Sequence, residues 1–296
     1  MSGQTDAPVS KTGARHYPGT AILTPKMFNK FGRFVTDTLG IKMPDSKRTM
    51  LQSRLQKRLR QLGLNSFEAY YDFVFSQEGR EKELSNLLDI VTTNKTDFYR
   101  EPRHYDVLTR NVLPALLQNK GIGVHRPLKI WSAGCSTGAE PYTLTMVLSE
   151  FAQRTGGFLF NILATDICTQ VLEKAMTAIY DERDAAPIPA AIKKKYLLRS
   201  KDRSKPRIRI VPELRRLVQF RQLNLMDADY GMRETMDIIL CRNVIIYFDR
   251  ETQYAVLSRL CRCLRPRGYL FMGHSETLNG FDLPLRQVAA TVYQKL

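Results

Sequence analysis

The chain has 296 residues, with 45 Lys and Arg against 29 Asp and Glu and a formal net charge of +16. That length supplies one large domain or two ordinary ones with a buried core. The excess positive charge points to an anionic partner, whether nucleic acid, a membrane surface or an acidic protein. No apolar stretch approaches the roughly 18 residues of a bilayer span, and the first 20 residues lack the apolar centre of a secretory signal, so the expectation is a cytoplasmic protein. The five cysteines, Cys135, Cys168, Cys241, Cys261 and Cys263, are odd in number and without C-x-x-C spacing, and they read as reduced and structural.

Residues 1–20 are small, polar and punctuated by Gly and Pro, the pattern of a disordered leader. Residues 21–92 read as an N-terminal helical domain. "MFNKFGRFVTDTLG" stops at Gly40, "DSKRTMLQSRLQKRLRQLG" at Gly63 and "NSFEAYYDFVFSQ" near Gly79, and "EKELSNLLDIVT" closes the set. Residues 93–110 form a linker, and its neighbourhood holds an odd run, "TTNKTDFYREP", with small polar residues, an aromatic pair, an Arg-Glu and a proline.

The grammar then changes, and 111–296 read as one α/β domain. "PLKIWSAGCSTGAEPYTLTMVLSEFAQ" is a strand, a small-residue loop and a long helix, and "FNILATDICTQVLEKAM" repeats the order. "MDIILCRNVIIYFDRETQYAVLSRLCRCLRPRGYLFMG" gives a strand, a loop, a helix stopped by Pro266 and Gly268, and a further strand. Such alternation predicts a parallel sheet covered on both faces. "RQVAATVYQKL" predicts an antiparallel hairpin partner. Between these units, Lys193 to Arg216 carries 11 Lys and Arg against two acids around "RIRIV", which reads as a small β excursion.

"SAGCSTGAEP" lies where a strand hands over to a helix, the place where open parallel sheets bind ligands. Its G-x-x-x-G spacing is not the dinucleotide fingerprint, so a pyrophosphate ligand is disfavoured. Asp166 ends the next strand, where an acid can accept hydrogen bonds from ribose hydroxyls, although a helix N-cap would also favour it. A glycine loop without pyrophosphate chemistry plus an acid for ribose fits a nucleoside carrying no phosphates, of which S-adenosylmethionine is the commonest cofactor. Glu140 is a second carboxylate beside that loop.

With "TTNKTDFYREP", "SAGCSTGAEPY", "ATDI" and "CRNVIIYF" in order, the chain from about residue 23 onward resembles the CheR family of chemotaxis receptor methyltransferases. The resemblance implies a Rossmann-like S-adenosylmethionine methyltransferase domain with an inserted β-subdomain, here about 196–222, behind an all-α N-terminal domain. It implies esterification of glutamate side chains on bacterial chemoreceptors, with S-adenosylhomocysteine as product, in a cytoplasmic enzyme recruited to receptor arrays. By motif it nominates Asn94, Thr96, Arg100, Glu140, Asp166, Asn224, Leu225, Arg242 and Asn243 as cofactor contacts. Arg100, Arg242 and Tyr247 match positions the family places near the reacting methyl and the substrate carboxylate. One departure is Ala139, where the family usually has a first acid in "GEEPY". In some members the β-subdomain adds a strand from the receptor's C-terminal peptide, but the tip here, "RSKDRSKPR", lacks the glycines that tethering members tend to carry.

A glutamate has a reference pKa of about 4.3, so the nucleophile is already ionised and needs no general base. The site must desolvate and align it, by an arginine fork from Arg100 or Arg242 and aromatic walls such as Phe98, Tyr99, Tyr247 and Phe248. On "KRTMLQSRLQKRLRQL" the residues Lys47, Arg54, Lys57 and Arg58 are candidates for steering an acidic receptor segment, against the plainer reading of a solvated basic face. Nucleic acid is disfavoured as substrate because no D-P-P-Y or N-P-P-Y run is present. A metal site has little support, since His16, His104, His125 and His274 lie far apart in sequence without ligand spacing.

Overall fold

The computed structural model describes residues 21–202 and 204–296; the expected leader, 1–20, lies outside the described residues. The N-terminal part is α1 (Pro25–Leu39), α2 (Arg48–Leu62), α3 (Phe67–Phe75), α4 (Gln77–Lys82) and α5 (Leu84–Val91). Thr24 caps α1 and Gly40 ends it at φ 69°; Gly63 ends α2 in the same left-handed conformation. The apolar stripe of α2, Leu51, Leu55 and Leu59, packs with Phe28, Phe31, Phe67 and Tyr70 into a core of its own. Gly79 does not end α3 as its spacing predicts. Ser76 ends α3 and caps α4, and Gly79 lies inside α4, where a Cβ would sit 1.8 Å from the carbonyl oxygen of Phe73. The glycine serves a close helix crossing, not a stop.

A helical rod follows, α6 (Arg103–Val107), a π turn (Leu108–Val112) and α7 (Leu113–Lys120), and leads into a seven-stranded sheet. Its strands are β1 (Leu128–Ala133), β2 (Phe160–Asp166), β6 (Val218–Gln222), β7 (Met236–Cys241), β8 (Leu264–Met272), β9 (Leu285–Ala289) and β10 (Val292–Lys295), in the order β6-β2-β1-β7-β8-β10-β9. The first five pair in parallel; β10 runs antiparallel to β8 and forms a hairpin with β9. Helices α8 (Ala139–Arg154), α9 (Thr169–Thr177) and α12 (Arg250–Cys263) supply the crossovers. The chain leaves β1 toward β2 on one side and returns to β7 on the other, which makes the carboxyl ends of β1 and β7 the switch point where ligands bind.

Two expectations need correction. A smaller antiparallel sheet, β3 (Ile179–Asp181), β5 (Arg207–Ile210) and β4 (Leu197–Arg199), is accompanied by α10 (Ala190–Tyr196) and α11 (Pro212–Arg215). It therefore starts well before residue 196, and Val218–Gln222 is not part of it but pairs with β2 in the main sheet. The alternating "VQFRQ" continues the parallel register, whereas "RIRI" lies across the short β3 and β4. Second, α12 stops at Cys263, and Pro266 and Gly268 fall within β8, where the pairing with β7 slips by a bulge between Met236 and Ile238.

The two parts are tied at named points. Lys42 N–H donates to the Tyr247 carbonyl at 2.9 Å, and the Asn224 amide donates to the Thr38 carbonyl at 2.7 Å. Asp89 of α5 caps α9 across the interface, accepting from the N–H of Thr169 (2.9 Å) and Gln170 (3.2 Å) and from the Thr169 hydroxyl (2.9 Å). No described helix is long and apolar enough to cross a membrane. Asp89→Ala removes that cap and is expected to cost about 1–2 kcal/mol in urea unfolding, whereas Asp89→Asn, which keeps one acceptor, recovers part of the loss.

Candidate active site

A cleft of about 970 Å³, part of it open to solvent, lies over the carboxyl ends of β1, β2 and β7. Gly134, Ser136 and Glu140 line it from the β1–α8 loop, and Thr165 and Asp166 from the end of β2. Leu39 and Ile41 reach in from the helical domain, and the linker crosses it from Thr92 to Thr96 and again at Arg100. Gly134 has φ 80°, and a Cβ there would meet Val244 Cγ2 at 2.5 Å. Four non-glycine residues in left-handed backbone, Tyr99, Glu101, Ser136 and Asn243 (φ 50–58°), lie on these loops. Such conformations persist only where surroundings hold them.

The holding group is Arg242, whose side chain is 2% exposed. Its Nε and Nη2 donate to Glu101 Oε2 at 3.2 and 3.0 Å, and its Nη1 donates to Glu140 Oε2 at 3.0 Å and to the Tyr105 hydroxyl at 3.2 Å. Nη2 also donates to the Arg100 carbonyl at 2.5 Å. Every edge of the guanidinium is occupied. The expectation that Arg242 offers a free fork to a substrate carboxylate is corrected: it binds the linker, α8 and the end of β7 together. Burial opposes ionisation of Glu101, but Arg242 and the His274 N–H hold its carboxyl below the usual range. Two carboxylates around one guanidinium leave a negative surplus, which suits a cationic ligand.

A second carboxylate node was not legible beforehand. Glu276, 3% exposed, accepts from the N–H groups of Gly273, Asn243, Val244 and Ile245 at 2.6–2.9 Å, and so fixes the loop after β7. Asp166 is likewise held: its two oxygens accept from Ser136 N–H (2.8 Å) and Cys168 N–H (3.0 Å), and burial pushes its carboxyl upward against those bonds. Asp166 lines the cleft but does not cap α9: the cap position is Cys168, and the first-turn N–H groups of Thr169 and Gln170 go to Asp89.

All nine nominated cofactor contacts and Tyr247 line the cleft. Their engagement differs. Asn94 donates to Thr92 Oγ1 at 3.0 Å and Cys168 Sγ at 3.3 Å, and Asn224 is tied to Thr38. Asn243 donates to Glu101 Oε1 at 3.3 Å. Thr96 and the buried Leu225 contribute wall, and Tyr247 is half-buried. Arg100 donates one bond, to the Lys95 carbonyl at 3.0 Å, and among the described residues no carboxylate pairs with it.

The docking stripe on α2 is largely engaged, which corrects its reading as free charge. Arg54 donates to the carbonyls of Ile90, Val91 and Thr92 at the end of α5, and Arg58 pairs with Glu83 at 2.5 Å. Glu83 is 1% exposed and needs that cation. Lys57 is exposed, and Lys47 lies 5.8 Å from the Tyr247 ring centre at the edge of the cleft. Histidines distant in sequence meet in space: the His104 and His274 rings are 5.2 Å apart beside Glu101.

Residues 26–92 match the CheR methyltransferase all-alpha domain and residues 94–294 the CheR methyltransferase SAM binding domain. The chain belongs to the CheR methyltransferase family. It is 38% identical over 295 residues to chemotaxis protein methyltransferase 2 of Pseudomonas aeruginosa, covering 99% of each chain. It is 34% identical to the chemotaxis protein methyltransferases of Borreliella burgdorferi (92% of this chain, 95% of that one) and Escherichia coli (92% and 91%). This CheR-family chain is thus an S-adenosylmethionine-dependent methyltransferase. The residues present fit that cofactor: a glycine backbone for close approach, Asp166 at the strand end, and a second carboxylate, Glu140, on the cleft wall.

Burial and the neighbouring Arg242 push the His104 ring down to about 4. The unfolded ring takes up its proton near pH 6.5 and the folded ring does so only near 4, so stability is complete above 6.5 and declines as pH falls toward 4. Urea unfolding between pH 7 and 5 is expected to show that decline, and His104→Gln to flatten it.

Proposed function

We propose that the chain methylates glutamate side chains on the cytoplasmic helical region of bacterial chemoreceptors, giving glutamyl methyl esters, as a cytoplasmic enzyme working at receptor arrays. The observation that carries this reading is Arg100, a cation on the cleft wall with no acidic partner among the described residues, beside an Arg242 that is already saturated. A free arginine fork selects a planar anion. When bound, S-adenosylmethionine supplies an electrophilic methyl on a positively charged sulfur. Asp166 holds the ribose through oxygen lone pairs not used by Ser136 and Cys168, and Glu140 receives the cationic methionine end. Arg100 orients the acceptor carboxylate for in-line attack. Tyr247 and the aliphatic wall of Leu225 exclude water, which favours a transition state in which anion and cation neutralise each other. Arg242 acts through others, keeping Glu140, Glu101 and Arg100 in place.

The acidic receptor surface meets Lys57, Lys47 and Lys95, of which Lys95 lies on the cleft wall. The tip between β4 and β5 has no glycine, which disfavours a C-terminal receptor peptide adding a strand to the small β-sheet. Nucleic acid is the less favoured anionic substrate, since the cleft offers saturated amides and a carboxylate clamp in place of a base-reading edge.

With methyl-labelled cofactor and a receptor cytoplasmic fragment, the label is expected to leave as methanol on alkali treatment; alkali-stable label sinks the ester assignment. Arg100→Ala is expected to lower kcat about 100-fold with cofactor affinity nearly intact, whereas Asp166→Ala weakens cofactor binding measured by calorimetry. The Lys47→Glu, Lys57→Glu double variant is expected to raise KM for receptor, most at low salt; an unchanged KM at low salt removes α2 from the docking surface.

A further inference from the structure

We propose that Glu101, His104 and His274 form a binding site for a divalent transition-metal ion of the zinc class, at the junction of the linker and the turn after β8. One carboxylate oxygen and one nitrogen from each ring lie within 4.8 Å of one another. The His104 ring is buried, and its Nε2 edge is fixed at 2.8 Å from Thr291 Oγ1. Its other nitrogen, Nδ1, is buried without a hydrogen-bond partner and lies 3.3 Å from Glu101 Oε2, off the line of a hydrogen bond. In the tautomer whose proton is on Nε2 and donates to Thr291, Nδ1 keeps a lone pair beside the Glu101 carboxylate, and a cation bound to both satisfies them. A metal-bound histidine held through its second nitrogen by a neighbouring oxygen is the usual arrangement in protein sites.

His274 completes the set. It is exposed on the turn that follows β8, so its ring can close onto an ion without disturbing the core. Two imidazoles and one carboxylate suit zinc, nickel or cobalt over calcium or magnesium and leave a fourth position for water. Glu101 Oε2 is also the acceptor for Arg242 Nε and Nη2, whereas Arg242 keeps Glu140 as its other carboxylate. The ion and the guanidinium therefore compete for Glu101, and metal binding loosens the wall that carries Arg100. The site does not depend on which side chain the enzyme methylates.

The test uses the full-length chain stripped with EDTA, titrated with ZnCl₂ by calorimetry and with CoCl₂ by visible absorption. Expected are one ion per chain, a cobalt spectrum of four- or five-coordinate type, and a loss of at least about tenfold in zinc affinity in His274→Ala. His125→Ala, at an exposed position away from the cluster, is expected to bind as the wild type does. His104→Gln is checked by circular dichroism; folded material should bind no better than His274→Ala. Equal zinc affinity in His274→Ala and wild type, or an octahedral aquo-cobalt spectrum throughout, overturns the site.

Discussion

The structure depends on one buried guanidinium. Arg242 sits at the end of a central strand, and without Glu101 and Glu140 its burial would be prohibitive. Each carboxylate comes from a different part of the chain, one from the linker in left-handed backbone and one from the first turn of α8. The ion cluster therefore does what apolar packing cannot do at a solvent-facing strand end: it sets the relative positions of three loops to within a hydrogen-bond length. Removing Arg242 leaves two largely buried carboxylates without their cation, so the loops hold or fail together.

Much of the framework was legible because local rules and tertiary needs agree. Gly40 and Gly63 end helices, helices α8 and α12 join β1 to β2 and β7 to β8, and the G-x-x-x-G loop lies at the switch point. The misreadings share a cause. Gly79 obeys a crossing between helices, Pro266 and Gly268 obey a bulge, and Val218–Gln222 belongs to the main sheet because its partner, β2, lies more than fifty residues earlier. The constraint on Gly79 comes from the helix just before it, whereas the other two come from strands far away in sequence.

The site divides in the same way. The residues nominated by motif resemblance all line one cleft, but a motif does not distinguish a free side chain from a saturated one. Arg54, Arg58 and Arg242 are held by several acceptors or by a carboxylate, and each looks the same in sequence as Arg100, which donates one bond to a carbonyl. Glu276 and Asp89 lie outside the motifs that carry the resemblance. Asp89 is the one acid of an apolar helix, and Glu276 follows Gly273 by three residues. A buried acid is evidence of a partner elsewhere.

Asp89 and Asp166 converge on the amino end of the same helix from opposite domains, one gripping its first turn and the other its threshold. The start of α9 is consequently a shared hinge pin. A tilt of α5 therefore displaces the backbone beside Asp166 through that terminus, in addition to the ties at Lys42 and Asn224.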